Sequence, residues 1–207
     1  MAKLHILPDM DNNKETALKG FHKVYAASRH EWRTWLSENH QEMRGVWLVL
    51  FNKKSAKPTI TWSEAVDEAL CFGWIDSIKK KLDDDCAVQF FSKRKPTSTW
   101  SRINKDKVNQ LIKKGLMAPA GLKCIEIAKQ NGSWTTLDEV EELIVPDDLA
   151  VAFRLHSGAR NYFDSLSKST RKAALAWVAL AKRPETRQKR IDEIAVSAGK
   201  QMKPKSI

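Results

Sequence analysis

The stretch WIDSIKKKLDDDCAVQFFSKR, residues 74–94, decides the fold. Asp83, Asp84 and Asp85 interrupt two segments of alternating character, which is the pattern of two antiparallel strands joined by a tight acidic turn. Trp74, Asp76, Ile78 and Leu82 share one face of the first strand, and Val88, Phe90, Ser92 and Arg94 share a face of the second. Pairing centred on Asp84 or Asp85 sets Asp76 opposite Ser92 or Arg94. A carboxylate and a guanidinium among apolar positions are informative, because a buried charge is costly unless it is paired or hydrogen-bonded.

Upstream of this hairpin, Trp62, Ala65, Val66, Ala69 and Leu70 fall at helical spacing, predicting a helix over about Ser63–Phe72 that stops at Gly73 in a left-handed turn. Thr59-Ile60-Thr61 before it reads as a short strand. Val46 to Phe51 is a continuous apolar run too short for a helix, which predicts a strand covered on both faces. Ser28-Arg-His-Glu31 matches a capping box opening a helix through Trp32, Trp35 and Leu36 to about His40. Downstream, Ile103, Val108, Leu111 and Ile112 mark a helix ending at Gly115. Pro119 opens another through Leu122, Ile125, Ile127 and Ala128, and both are expected to pack on the sheet. Residues 133–146 form an acidic connector, and beyond them every apolar pattern is helical. The order predicts an α+β fold: an antiparallel sheet packed with helices over residues 1–145, followed by an all-helical C-terminal domain over 146–207.

Charge narrows the partners. The 207 residues hold 36 Lys+Arg against 25 Asp+Glu, a net +11, which favours anionic partners. The excess is local: residues 79–114 carry 11 basic and 4 acidic side chains, and residues 146–207 carry 13 and 6, so each region stands at +7. No run approaches the roughly 18 apolar residues of a membrane span, and Met1 to Lys14 lacks a signal-peptide core. Cys71, Cys86 and Cys124 have no CxxC spacing and read as free thiols in a reducing compartment, so the expected location is cytoplasmic. His5, His22, His30, His40 and His156 form no metal-binding spacing, and no P-loop, GxGxxG or GxSxG is present, so neither metal nor cofactor is expected.

Several segments resemble a known family. They are Glu68-Ala-Leu-Cys-Phe-Gly-Trp-Ile-Asp-Ser77, then Arg94-Lys95 with Ser98-Thr-Trp-Ser-Arg-Ile-Asn104, then Leu111-Ile-Lys-Lys-Gly-Leu-Met117, and Ala181-Lys-Arg-Pro-Glu-Thr-Arg-Gln-Lys-Arg-Ile191. Together they span about Trp32 to Gly199 and are similar to the bacterial bacteriocin-protection, YdeI/OmpD-associated family. The resemblance implies a stress- or bacteriocin-protection role and brings with it no reaction, cofactor or catalytic residue.

Two candidate sites follow from the residues. The first gathers Trp74, Asp76, Arg94, Lys95, Ser98, Trp100, Ser101 and Asn104, where a hairpin end meets a helix start. Bases beside backbone N–H groups and hydroxyls hold phosphate or carboxylate, and tryptophans supply flat apolar walls. The alternative is structural, with Asp76 paired to Arg94, a serine capping the helix and both tryptophans in the core. Trp100, flanked by hydroxyl residues, is the tryptophan expected to be partly accessible. The second site is Arg183, Arg187, Lys189 and Arg190, at and within the last helix, which could meet nucleic acid; alternatively Arg187 and Arg190 cover the core with their stems or meet Asp192, Glu193 or Asp164. The expected function is a non-catalytic module for an anionic small molecule or acidic partner. An enzyme using Asp76 as general base and Arg94 as charge stabiliser, and a nucleic-acid binder, are the alternatives.

Overall fold

The computed structural model describes residues 20–204, so the reading of residues 1–14 lies outside the described part. The chain divides into two units. One takes the chain to Ser98 and Asn104–Asn131; the other takes Thr99–Ile103 and the chain from Gly132.

The first unit holds β1 (Lys23–Tyr25), α1 (Arg29–Asn39), β2 (Gly45–Phe51), α2 (Trp62–Cys71), β3 (Trp74–Lys81), β4 (Cys86–Lys93), α4 (Pro119–Gln130) and, from Asn104 onward, α3 (Arg102–Lys113). Its four strands run in the order β1-β2-β4-β3. The class is α+β, but the sheet is mixed where an antiparallel one was expected: β1 pairs parallel to β2. The connection through α1 is what allows it, since parallel neighbours need a crossover of a dozen or more residues, usually a helix. β1 has only three residues, too few to show a period.

Local chemistry sets the elements. Ser28 Oγ accepts from the Glu31 backbone N–H at 3.2 Å, while the Glu31 carboxylate accepts from the Ala27 N–H, so the start of α1 is closed from both sides. Thr61 and Glu64 form a reciprocal capping box on α2. That engagement explains why Thr59–Thr61 is no strand: Thr61 is the helix cap, and the Thr59 hydroxyl accepts from Phe51 N–H at 3.1 Å. β2 is buried on both faces, as its unbroken apolar run predicts. Val46 and Leu48 pair with Phe91 and Gln89, and Phe91 meets Trp32 of α1; on the other face Trp47, Val49, Cys86 and Val88 form a cluster of their own.

The core beneath the helices is tryptophan-rich. Trp32 and Trp35 stack at 5.2 Å, and Trp74 meets Trp35 edge-on at 5.9 Å. Arg29 and Arg33, four residues apart on α1, both hold Glu68 of α2, which is 2% exposed. Arg33 also donates to the Leu116 carbonyl at 2.7 Å, tying the α3–α4 connection to the same clamp. α3 and α4 lie against α2: Lys107 reaches Ser63 and Asp67, and Gly121 sits directly on the Cys71 carbonyl. Ile112 and Leu122, read as core positions, are 45% and 46% exposed, and the buried positions are Val108 and Leu111 of α3 and Gly121, Ile125 and Ala128 of α4.

The second unit contains α5 (Asp138–Glu141), α6 (Asp147–Arg154), α7 (Ala159–Ser165), α8 (Lys168–Ala179) and α9 (Pro184–Gly199). Its core joins Val140 of α5 with Leu149 and Phe153, Phe163, Leu175 and Val178, and Ile191 and Ile194. Among the described residues no helix is long and apolar enough to cross a membrane.

Candidate functional site

The hairpin is present, with one irregularity that changes its chemistry. Lys79, Lys80 and Lys81 pair with Gln89, Val88 and Ala87, but a bulge between Asp76 and Lys79 shifts the register by one residue. Asp76 therefore lies opposite Phe91, and not opposite Ser92 or Arg94. A bulge inserts one extra residue on one strand and exchanges the faces beyond it. The Asp76 carboxylate accepts from the indole N–H of Trp62 at 2.9 Å.

Gly73 makes the turn from α2 into β3 at φ +73°, and a Cβ there would stand 3.2 Å from both the Ala120 carbonyl and the Cys124 Cβ. The missing side chain thus serves both the left-handed turn and the close approach of α4. Arg94, one residue past β4, donates its backbone N–H to the Gly73 carbonyl at 2.9 Å. Between these elements lies a cavity of about 310 Å³. Phe72, Trp74, Pro96, Ala120 and Ile127 supply its apolar walls, Arg94, Lys93 and Lys123 its cations, and His40, Gln41, Gly73 and Cys124 complete it.

The cations differ in kind. Lys93 and Lys123 are exposed, and the Lys93 ammonium donates to the Gln41 carbonyl. Arg94 is 9% exposed, and burial pulls its guanidinium down to about 10, against a raising influence from Cys124 and Asp76. It is still protonated at neutral pH. Burial pushes the Cys124 thiol up, with Arg94 opposing, so the group facing the cavity is a thiol and not a thiolate. The His40 and Phe72 rings lie 5.1 Å apart between centroids, and His40 Nδ1 is 2.8 Å from the Leu36 carbonyl oxygen.

Of the residues singled out in the sequence, Trp74 and Arg94 line the cavity. Asp76 is half-buried and engaged with Trp62, while Lys95 is exposed. The Ser98 N–H closes a turn onto the Lys95 carbonyl at 2.9 Å, and Asn104 lies in the first turn of α3. Trp100 and Ser101 belong to the other unit; Trp100 is 1% exposed and packs on Trp134 at 5.0 Å, so Trp62, at 48%, is an exposed tryptophan and Trp100 is not. The α4 wall was missed. Ala120, Lys123, Cys124 and Ile127 fall at i, i+3, i+4 and i+7, a second stripe beside the core stripe of Gly121, Ile125 and Ala128, and that doubling was the available signal.

On α9, Arg187 forms a fork with the Asp148 carboxylate at 2.7 and 3.0 Å, and the guanidinium holds that carboxyl below its ordinary range. Arg190 donates to the Trp177 carbonyl at 2.5 Å and lies 5.1 Å over its ring. The expected partners Asp164 and Asp192 are engaged elsewhere, with Arg160 and Gln188. Arg183 and Lys189 are exposed. Among the described residues no group of three or more His, Cys, Asp or Glu side chains is placed to hold a metal ion.

Residues 142–200 match the family model described as Bacteriocin-protection, YdeI or OmpD-Associated, and residues 24–124 match a Domain of unknown function (DUF8412). No curated protein and no solved structure matches the chain.

Proposed function

We propose that this protein is a non-catalytic binding module for an anionic small molecule, held in the cavity at Arg94, and that such binding underlies a protection-type role of the kind named by the family matching its C-terminal segment. One observation carries the reading: Arg94, Lys93 and Lys123 line one cavity of about 310 Å³ whose other walls include Phe72, Pro96, Ala120 and Ile127. An anion entering it meets cationic side chains beside apolar surface, the combination that charge-assisted recognition of a small anion uses. The volume lies at the small end of the roughly 300–1,000 Å³ range of ligand pockets, which suits a small molecule better than a polymer.

The enzyme reading took Asp76 as its general base, and Asp76 is not among the residues lining the cavity. The nucleic-acid reading draws on α9, where Arg187 and Arg190 are engaged within the second unit. We place the protein in the cytoplasm, where Cys71, Cys86 and Cys124 stay free.

A thermal-shift screen with acyl anions, phosphosugars, nucleotides and short nucleic acids tests the proposal, because a ligand of the native state raises the unfolding midpoint by mass action. A small anion should raise the midpoint of the wild type and of Arg187→Ala and leave Arg94→Ala unmoved. A shift abolished by Arg187→Ala but retained in Arg94→Ala would refute it.

A further inference from the structure

Resting on the anion reading of the cavity, we infer that His40 couples anion binding there to proton uptake, so that the ligand is held more tightly as pH falls through the range in which an imidazole titrates. The place of the ring in the fold and the charges around it both lead to this.

His40 is the C-cap of α1, and its half-buried ring lines the cavity beside Gln41. The ring packs on Phe72, and its Nδ1 lies 2.8 Å from the Leu36 carbonyl oxygen in the last turn of the helix. The His40 carbonyl accepts from the Trp74 indole N–H at 3.3 Å. Ring and backbone are therefore both anchored before a ligand arrives. The end of a helix carries partial negative charge on its carbonyls, which favours an imidazolium.

The groups around the ring set the sign of the coupling. From the end of β4 come Lys93 and Arg94, from α4 Lys123 and Cys124, and from the α2–β3 turn the uncharged Phe72, Gly73 and Trp74. Asp76 of β3 acts on Arg94 without lining the cavity, and Glu38 and Glu42, near His40 in the chain, are exposed. Among the described residues no carboxylate lines the cavity. Burial pushes the Cys124 thiol up, and Arg94 at about 10 stays charged, so neither changes state between about pH 5 and pH 8, where an imidazole does.

Without a ligand, a proton on His40 adds a fourth positive charge to those of Lys93, Arg94 and Lys123, and their repulsion opposes the attraction of the helix end. An anion in the cavity offsets that repulsion and attracts the imidazolium directly. Anion and proton therefore each favour the other. By reciprocity, the gain in anion affinity on protonation equals the gain in proton affinity on binding. The coupling needs only that the anion lie near the ring, whichever cation it contacts.

Isothermal titration calorimetry of the full chain tests this with benzenesulfonate and with inorganic sulfate, whose charges are fixed over the range, at about pH 5.5 and about pH 8. Affinity should be about tenfold higher at the lower pH, the factor that one unit of reciprocal pKa shift supplies. Titrations at about pH 6.5 in buffers of different ionisation enthalpy should show net proton uptake. His40→Phe keeps a ring against Phe72 but cannot titrate, and should bind equally at both pH values. His40→Gln, which keeps a donor for the Leu36 carbonyl, should do the same and serves if the first variant is unstable. His30→Gln, at an exposed position of α1, should keep the wild-type dependence. Binding no tighter at the lower pH, or a pH dependence that survives in the His40 variants, would overturn the coupling while leaving the anion-binding proposal standing. Binding of neither anion at either pH would overturn both.

Discussion

Replacing Gly121 by alanine tests how the α4 wall of the cavity is held. A Cβ built on Gly121 falls 2.2 Å from the Cys71 carbonyl oxygen and 2.8 Å from the Met117 terminal methyl. The methyl group can rotate away, but the carbonyl is backbone at the end of α2 and also accepts from the Ala118 N–H at 3.0 Å. Restoring ordinary van der Waals distance requires α4 to withdraw by about 1 Å, which strains packing at a cost of about 1–3 kcal/mol and stretches a hydrogen bond with a net worth of about 1 kcal/mol. Against this stands the helix propensity of alanine over glycine, about 1 kcal/mol in favour of the variant. The balance is a loss of about 1–3 kcal/mol. Urea unfolding followed by tryptophan fluorescence reads it directly, and Cys124 alkylation should accelerate as the wall loosens. If Gly121→Ala is instead more stable than wild type by about 1 kcal/mol, as at an open helix position, the close contact of α4 with α2 is wrong.

Other substitutions probe the parts independently. Glu68→Gln removes the buried carboxylate held by Arg29 and Arg33 and should cost about 3 kcal/mol in urea unfolding; a loss below 1 kcal/mol would show that the clamp does not order α1 against α2. Thr61→Ala deletes one half of the α2 capping box and should cost about 1 kcal/mol, measured the same way. Acid should weaken the second unit. Asp148 and Glu141 titrate below their ordinary values, Asp148 first through its hydrogen bond to Arg187, and Glu141 through Lys172 against the opposing effect of burial. Because their folded pKa values are depressed, the stability they add is present above the unfolded carboxylate range and is lost as pH falls through the folded pKa values. Asp148→Asn should therefore flatten the fall of stability below about pH 4, and an unchanged acid profile would count against the Asp148–Arg187 fork.

Much of the first unit was legible because its signals are local. Ser28 with Glu31, the apolar run of β2, Gly73 and the aspartate turn each sit within a few residues of the structure they specify. What was illegible depends on partners distant in sequence. The bulge that sets Asp76 opposite Phe91 leaves no mark in the alternation of residues 74–82. Arg187 finds Asp148 thirty-nine residues earlier, not the acids on its own helix. Trp100 looked accessible because its neighbours are hydroxylic, yet its burial is decided by Trp134. The site was legible in part for the same reason: Trp74 and Arg94 belong to the hairpin, while Lys123 and Cys124 reach the cavity only because the absent side chain of Gly73 lets α4 approach.

Binding of a small anion at Arg94 is tested most directly by titrating phenylacetate into uniformly ¹⁵N-labelled protein at constant pH while following backbone amides and the arginine Nε–H resonances. The account predicts that the Arg94 Nε–H signal and amides of residues 40–41, 72–74, 93–96 and 120–127 move together along one saturable curve. Perturbations confined to Arg183, Arg187, Lys189 and Arg190, with Arg94 unmoved, would contradict it.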